Sequence, residues 1–555
     1  LSHREPWVRI IPLGGLGEIG MNMTLLETEE DLLVIDAGLM FPEEEMLGID
    51  LVLPETTYLL EQRDKVRGIV LTHGHEDHTG ALPYLLPQLP VPVYGTALSL
   101  GLVQEKLREF DLDRTADLRR VRAGDRLQLG ALTLEFIRVS HSIPDGVAIA
   151  VHTPAGLVVH TGDFKFDQTP VGGELTDFGK FAELGDRGVQ VLLSDSTNAT
   201  REGVTPSESE VARTLEPIFR TAPRRIIVAC FASHIHRIQQ VLDVAARLGK
   251  RVAVNGKSML ANTRIAAELG YLRVPEETLV RLEELQRTPP DQSVIITTGS
   301  QGEPLSALAR MAVGEHRQIE IQPGDTVIFS ARVIPGNEKS IARTVNQLFK
   351  RGAQVITEDV QAGVHVSGHP SREELKLMLN LTRPRFLVPV HGEYRHLHFH
   401  AQLARGMGLP PDHIFLLDNG DVLEVAPTRA AVVSKVAAGR VFVDGKGVGD
   451  VGDTVLRDRQ HLAQDGMVVI VIGFDKAGQV VSGPEIISRG FAHLPEDDTL
   501  FEEARRLILT VLDGCSVEEK TDRNLIRQRI RSVLRKFLQR AVERRPMILP
   551  VIIEL

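Results

Sequence analysis

The sequence predicts an α/β protein of several domains: a first sandwich-like domain interrupted by an insertion with its own α/β texture, then a small C-terminal α+β domain. Three observations predict it. The N-terminal stretch alternates short aliphatic segments with glycine clusters and acidic turns, the texture of strands and hairpins. From about residue 206 the texture becomes strand, helix, strand in parallel order, and at LTRPRFLVPVHGE it returns to a short apolar strand followed by a polar loop. The length, 555 residues, asks for three or four domains at roughly 150 residues each.

Taken in order, WVRIIPL, MNMTLLETE and DLLVIDAG read as an antiparallel start. Gly15-x-Gly17-x-x-Gly20 matches a dinucleotide-binding fingerprint, which needs a helix to begin at its third glycine. Met21-Asn22-Met23-Thr24-Leu25-Leu26 reads instead as a strand entering a hairpin, so the glycines form a tight turn. RRIIVACF, SHIHRIQQVLDVAARLGK and RVAVN open the inserted domain, which continues through SVIITTG, DTVIFS, NEKSIARTVNQLFKRG and AQVITE. This divides the chain into residues 1–205 and 366–450 as two parts of the first domain, 206–365 as the insertion, a turn-rich linker at 451–465, and a last domain at 466–555. That domain opens with MVVIVIGFD, closes with ILPVIIEL, and holds a helical pair between them. Ile526, Ile530, Val533, Leu534, Phe537 and Leu538 share one face at helical spacing. The arginines on the other face suit solvent, RNA or a second subunit. There is no internal repeat and no low-complexity tract.

Composition narrows the class. Hydrophobic residues make up 43% and charged residues 25%, which excludes disorder as the main state. No apolar run approaches the roughly 18 residues of a bilayer span, and LSHREPWVRI lacks the apolar region of a signal peptide. A cytoplasmic protein is expected, with no membrane partner. The net charge of −11 argues against a polyanion partner only when read globally, because residues 523–545 hold nine basic side chains against Glu543. Cys230 and Cys515 are too few for a thiolate metal site, so any metal must be held by His, Asp and Glu.

Thr72-His73-Gly74-His75-Glu76-Asp77-His78 follows an apolar strand and packs four candidate ligands, His73, His75, Asp77 and His78, into six residues. Imidazole and carboxylate at that spacing suit a divalent cation, and the glycine lets the loop turn so that the side chains converge. Further candidates stand just past the ends of other apolar strands: Asp36, His141, Asp163, Asp195 and His391. One such Asp is usually a turn or a helix cap. Five around one such cluster point to a site at a common rim of the sheets.

These motifs resemble the metallo-β-lactamase superfamily, within it the β-CASP nucleases, and among those the bacterial ribonuclease J family. The resemblance runs through HGHEDH, HSIPD, TGDFK, SDSTNA, VSGHP and PVHGE, over essentially the whole chain. It implies an αββα sandwich with an inserted β-CASP α/β domain. It also implies two divalent ions, zinc or manganese: one held by His73, His75 and His141, the other by Asp77, His78 and His391, with Asp163 between them. Two cations roughly 3.5–4 Å apart can hold a hydroxide and neutralise a phosphate in an in-line displacement. Asp36 is expected behind a ligand, orienting an imidazole through its ring N–H. The same resemblance gives proton transfer to Asp195 and phosphate stabilisation or proton exchange to His369.

The fold hosts several chemistries, so the substrate rests on the additions. His391 in Val390-His391-Gly392-Glu393 resembles the RNA-processing branch, and the insertion would wall a groove for a single strand. Phe231, Ala232, Ser233 and His236 lie where a strand becomes a helix, a place that suits an anion. His365, Val366, Ser367, Gly368 and His369 form a glycine-containing turn of the amide-nest kind. By resemblance these segments hold the RNA and its 5′-monophosphate. The expected activity is 5′ to 3′ exonuclease with some endonuclease, in mRNA decay and rRNA maturation. A homodimer or tetramer through the C-terminal domain and an RNA-degradation complex are the expected assemblies. His396, His398 and His400 are expected to be structural or solvated. Gly48, Asp50 and Asp444 resemble loops for a structural calcium or manganese ion, and turn-forming aspartates explain them as well. Two other readings compete: a thioester or lactam hydrolase on the same centre, and an RNA-binding scaffold with a dead site.

Overall fold

The computed structural model describes residues 5–303, 305–334, 336–475, 478–491, 499–516, 519–520 and 522–555. Backbone contacts divide the chain into two units, one of Leu1–Glu43 with Leu51–Val441, the other of Glu44–Asp50 with Phe442–Leu555.

Outside the insertion, the first unit is built mainly on two sheets. The eight-stranded sheet runs from Ala430–Lys435 through Asp421–Val425, Val8–Gly14, Met23–Glu27, Leu32–Ile35, Val66–Val70 and Val93–Gly95 to Leu118–Arg120. The six-stranded sheet runs from Phe386–Val390 through Val189–Asp195, Gly156–His160, Val147–Thr153 and Leu132–Arg138 to Arg126–Leu129. Alternate residues of each strand face opposite ways, and this sorts the apolar side chains into layers. Ile10, Leu26, Leu33, Ile35 and Val70 meet Leu134, Phe136, Ile149, Val191 and Val388 between the sheets. Leu25, Val34, Ile69 and Leu71 face helices of residues 57–108 on one outer side. Ala148, Val159 and Leu192 face the helices Phe178–Arg187, Arg372–Thr382 and Tyr394–Gly406 on the other. The result is the four-layer αββα sandwich.

Leu32–Ile35 and Val66–Val70 run parallel, as do Gly156–His160, Val189–Asp195 and Phe386–Val390. Their C-terminal ends therefore gather at one edge, where open sheets collect their functional loops. The glycine fingerprint is a turn: Gly15, Gly17 and Gly20 have φ of 89°, 75° and 113°, and no helix follows. That turn lies against the loop after Phe386–Val390, where Gly17 N–H donates to the Gly392 carbonyl at 3.0 Å.

The insertion carries a parallel five-stranded sheet in the order Arg251–Asn255, Ser293–Thr297, Ile226–Ala229, Thr326–Phe329, Gln354–Ile356. One face packs on Ser209–Thr221, Ile235–Arg247 and Lys257–Glu268, the other on Ala307–Val313 and Glu338–Lys350.

In the second unit, Val480–Arg489 pairs antiparallel and Met547–Glu554 parallel with Met467–Phe474. The helices Thr499–Asp513 and Arg523–Val542 bury Ile508, Leu512, Ile526, Ile530, Leu534 and Leu538 against Val468, Ile470 and Ile472. Val533 and Phe537 lie only partly buried at the flank of that stripe. The stretch expected as a linker, 451–465, is instead largely the helix Asp453–Asp465. It contains no Gly or Pro between Gly452 and Gly466, and Gly466 ends it at a φ of 72°. Among the described residues no helix is long and apolar enough to cross a membrane.

Candidate metal centre

Three groups of ligand atoms, each within 4.8 Å, meet at the common edge of the sandwich: His73, His75, His141 and Asp163; Asp77, His78, Asp163 and His391; and Asp195, His369 and His391. Asp163 belongs to the first two. His73 Nε2 stands 2.9 Å and His141 Nε2 3.2 Å from His75 Nδ1. Asp163 Oδ2 is 3.7 Å from His73 Nε2 and 3.8 Å from His141 Nε2. Across Asp163, its Oδ2 is 3.2 Å from His78 Nε2 and 3.4 Å from His391 Nε2, while Asp77 Oδ2 is 3.6 Å and 3.4 Å from the same two nitrogens. Metal–nitrogen bonds of about 2.0–2.1 Å in a tetrahedron put donor atoms roughly 3.3 Å apart. The observed separations fit that spacing.

The outward ring nitrogens are held by the protein. His73 Nδ1 is 3.0 Å from Thr72 Oγ1, His141 Nδ1 2.8 Å from the Gly368 carbonyl, His78 Nδ1 2.8 Å from Asp36 Oδ2, and His391 Nδ1 2.6 Å from Thr197 Oγ1. Each ring thus turns Nε2 inward, the arrangement that fixes tautomer and aim in metal-binding histidines. Inward nitrogens gathered without a cation would set lone pair against lone pair. The donor set therefore fits a divalent metal.

Electrostatics divides the cluster. Burial pushes the His73 and His141 pKa values well below the usual imidazole value and that of His75 to about 4. Burial acts the same way on His78 and His391, but the carboxylates outweigh it: Asp163, Asp77 and Asp36 raise His78 well above its usual value, and Asp163, Asp77 and Asp195 bring His391 to about 9. Burial raises Asp163, yet the His391 and His78 imidazoles hold it well below the ordinary carboxylate range. The Asp77 and Asp163 side of the cluster calls for positive charge.

The backbone is bent to make these aims possible. Asp36 and His391, each just past a strand, have φ of 62° and 56°, a region non-glycine residues rarely adopt. Gly38 lets two loops meet, since a Cβ there would stand 1.7 Å from the Asp77 carbonyl oxygen. Gly368 lies flat on His141, where a Cβ would come within 2.6 Å of the imidazole.

Asp36 Oδ1 accepts from Thr72 N–H and Oδ2 from Thr72 Oγ1, both at 2.8 Å, besides its bond with His78. His369 Nδ1 is 2.8 Å from Asp195 Oδ2. Thr197 N–H and Oγ1 donate to Asp195 Oδ1 at 3.0 and 2.8 Å. Sequence reasoning missed Thr72, Thr197, Asn22 and Asn198. Asn22 Nδ2 donates to the Asp77 carbonyl, and Asn198 Nδ2 donates to Ser367 Oγ at 2.8 Å and the His369 carbonyl at 3.1 Å. Thr197 and Asn198 stood inside the SDSTNA motif, so their position was the available signal.

Phe231, Ala232 and Ser233 lie between the strand Ile226–Ala229 and the helix Ile235–Arg247, partly open, while His236 is buried one turn on. His365, Val366, Ser367 and Gly368 are buried, and the rings of His234 and His365 lie 6.2 Å apart. Arg237 joins the two segments, bonding Glu208 at 2.7 Å and the Val364 and Ser330 carbonyls at 3.0 Å each. Nδ1 of His236 and of His365 is buried with no hydrogen-bond partner among the described residues. Burial lowers the His236 pKa to about 4 and that of His365 well below the usual value.

Gly48 and Asp444 meet a guanidinium, that of Arg459. Arg459 donates to the Leu47 carbonyl at 2.9 Å and pairs with Asp444, and its Nη1 stands 2.7 Å from the place of a Gly48 Cβ. Asp50 accepts from the Gly445 N–H at 2.7 Å. Among the described residues neither carboxylate joins a three-ligand group. His396 accepts from the Glu393 N–H, His400 bonds Ser196, and His398 bonds Gln402.

Four family models match the chain: the metallo-beta-lactamase superfamily over residues 16–200, the ribonuclease J beta-CASP domain over 223–348, the Zn-dependent metallo-hydrolase RNA specificity domain over 353–416, and the ribonuclease J C-terminal domain over 454–555. Ribonuclease J2 of Bacillus subtilis is 45% identical over 548 residues, covering 99% of this chain and 98% of its own. Ribonuclease J of Thermus thermophilus is 47% identical over 556 residues, covering 99% and 95%. A crystal structure of a protein of unknown function from Enterococcus faecalis V583 shares the fold at a TM-score of 0.55 and 14% identity, over 76% of this chain and 100% of its own. On identity spread along its whole length, this chain belongs to the ribonuclease J family of metallo-β-lactamase-fold, β-CASP proteins.

Proposed function

We propose that this protein is a metal-dependent ribonuclease that shortens single-stranded RNA from a 5′-monophosphate end and also cuts internally, in mRNA decay and rRNA maturation. The observation that carries the reading is the pair of ligand groups sharing Asp163 beside the Asp195–His369 pair. In this reading His73, His75 and His141 hold one ion, zinc or manganese, and Asp77, His78 and His391 the other, with Asp163 between. When bound, such ions supply the Lewis acidity that draws charge from a phosphodiester during in-line displacement. The chain's residues do the rest. Asp36 and Thr72 keep His73 and His78 aimed, Thr197 holds His391, and Asp195 fixes His369 so that its second ring nitrogen can exchange a proton with the reacting phosphate.

Ser233, His236 and the 365–369 turn are read as the pocket for the terminal phosphate. The unpartnered buried ring nitrogens of His236 and His365 support it, because a buried polar atom without a partner is costly and a polar ligand supplies one. Of the two readings of Gly48, Asp50 and Asp444, turn-forming aspartates are favoured over a structural calcium or manganese ion, because Asp444 pairs with Arg459 and Asp50 accepts from the Gly445 N–H. The C-terminal sheet supports a homodimer: Ile487, Leu549 and Ile553 are 40%, 41% and 43% exposed on its outer face, beside Val469 and Val471. A cytoplasmic setting and a role within an RNA-degrading complex complete the proposal.

The test is a time course on uniformly labelled single-stranded RNA carrying a 5′-monophosphate or 5′-triphosphate, with Mn²⁺ or Zn²⁺, against EDTA and Asp77→Ala. Early mononucleotide release from the monophosphate substrate, lost in both controls, is the expected result. Internal fragments indifferent to the 5′ end would keep the nuclease and remove the pocket. Intact RNA throughout would turn the reading to a small-molecule hydrolase or a scaffold.

A further inference from the structure

A basic cluster flanks the centre and has no role in the chemistry above. Arg332 lies on the loop after the strand Thr326–Phe329 of the insertion. Gln301 fixes that loop, donating to the Arg332 carbonyl at 2.8 Å and accepting from the Ile334 N–H at 2.9 Å. From there Arg332 Nη1 reaches the other domain and donates to Asn198 Oδ1 at 2.6 Å. Asn198 in turn bonds Ser367 and the His369 carbonyl. Arg332 is therefore two hydrogen bonds from the backbone of His369, and its charge meets a neutral amide rather than a carboxylate.

Two further arginines stand on segments that build the centre, one on a loop and one in the first turn of a helix. Arg201 closes the 195–201 loop, its N–H donating to the Asn198 carbonyl at 2.8 Å, and its exposed side chain has no ion pair or hydrogen bond among the described residues. Arg395 begins the helix after His391 and pairs with Glu393 at 3.0 Å. Burial, then Arg201 and Arg395, bring the Arg332 pKa down to about 10, with Glu358 acting against them. Like charges held together with so little carboxylate cost free energy unless an anion joins them. In a chain of net charge −11 the cluster is a local exception.

Resting on the ribonuclease reading above, we propose that Arg332, Arg201 and Arg395 form a subsite for a backbone phosphodiester of single-stranded RNA, next to the phosphodiester that lies over the metal-ligand cluster. Arg332 is its anchor because both domains fix it. Its planar fork, with one N–H spent on Asn198, keeps others for phosphate oxygens. The subsite grips the polymer, not its terminal phosphate, and so distinguishes an oligonucleotide from a nucleotide.

The experiment is fluorescence anisotropy with a labelled 5′-phosphorylated decamer on the EDTA-treated full-length protein, over a salt series, for the native chain, Arg332→Gln and Arg201→Gln. Uridine 5′-monophosphate and inorganic phosphate serve as competitors. Each lost phosphate contact should flatten the slope of log Kd against log salt by about 0.7. Decamer affinity should fall roughly 5- to 20-fold for Arg332→Gln, while competition by the mononucleotide and by phosphate is unchanged. In the metal-loaded enzyme KM should rise more than kcat falls. A slope equal to that of the native chain in both variants overturns the proposal. So does an equal loss for decamer and mononucleotide, which would mean that Arg332 only braces His369 through Asn198. Arg201→Gln, at an exposed position, keeps the test decisive where Arg332→Gln lowers the melting temperature. RNA left intact by the native enzyme would instead remove the ribonuclease reading, a separate result.

Discussion

Asp36 engages three donors with two oxygens, and through His78 and Thr72 it steadies both halves of the centre. Asp36→Asn keeps the shape but turns an amide, one side of which is a donor, toward the His78 ring N–H. Affinity for zinc or manganese should fall about 10- to 100-fold, read by calorimetric titration of the EDTA-stripped protein. Unchanged affinity would show that His78 is aimed by other contacts. At this scale the sequence was legible where the chemistry is local. His73, His75, Asp77 and His78 need only one turn to converge, so their spacing gave them away. Thr197 and His391 are 194 positions apart, and a hydroxyl placed by such a distant partner leaves no periodic trace. The same holds for Arg459, whose guanidinium meets the loops at Gly48 and Asp444 that resemblance offered for a structural cation or for plain turns.

At the scale of elements, strand ends were readable because an aliphatic run giving way to polar residues is a strong signal: Asp36 and His391 directly follow such a run, Asp195 closes one, and Asp163 stands three residues past another. The order of strands within each sheet was not readable, since it depends on pairing between runs of similar composition. Nor was the helix Asp453–Asp465, whose single buried residue, Leu456, gives almost no amphipathic signature. One strand also carries a pH-dependent tie. Glu135, in Leu132–Arg138, is pushed up by burial, but hydrogen bonds from Lys180 and His152 outweigh that and bring its pKa down to about 2. These partners lie 2.7 and 2.6 Å away. A carboxylate depressed on folding adds stability above its ordinary 4.5, and that stability is lost as pH falls toward about 2. Glu135→Gln should therefore cost about 1–2 kcal/mol at pH 7, with the gap to the native chain narrowing below pH 4.5. Thermal unfolding followed by circular dichroism at pH 7, 5 and 4 reads it, and a constant gap would assign the cost to packing.

For the whole molecule, the C-terminal domain spends many of its basic side chains on itself. Arg531 donates to the Ile548 carbonyl, Arg529 pairs with Glu519, Arg523 with Glu554, and Arg544 with the Phe491 carbonyl. The sequence offered solvent, RNA or a subunit for these arginines and could not show that several brace their own domain. The outer face of the sheet is the better candidate for assembly, because apolar area without a polar function favours contact with another surface. Leu549→Asp with Ile553→Asp should shift sedimentation velocity from dimer toward monomer while leaving the metal content of the first unit unchanged. A dimer that persists would move the interface elsewhere.

The ligand groups also differ in when they can exist. A chain made from its N-terminus has His73, His75, His141 and Asp163 long before it has His391, which lies beyond the whole insertion and 314 positions after Asp77. The strand Phe386–Val390 must pair with Val189–Asp195 before His391 reaches its place, a contact of the long-range kind that forms late. Between residue 163 and residue 391 the nascent protein therefore has the first donor group without the Gly368 carbonyl that aims His141, and the second without His391. A finished centre cannot exist until the insertion has been made.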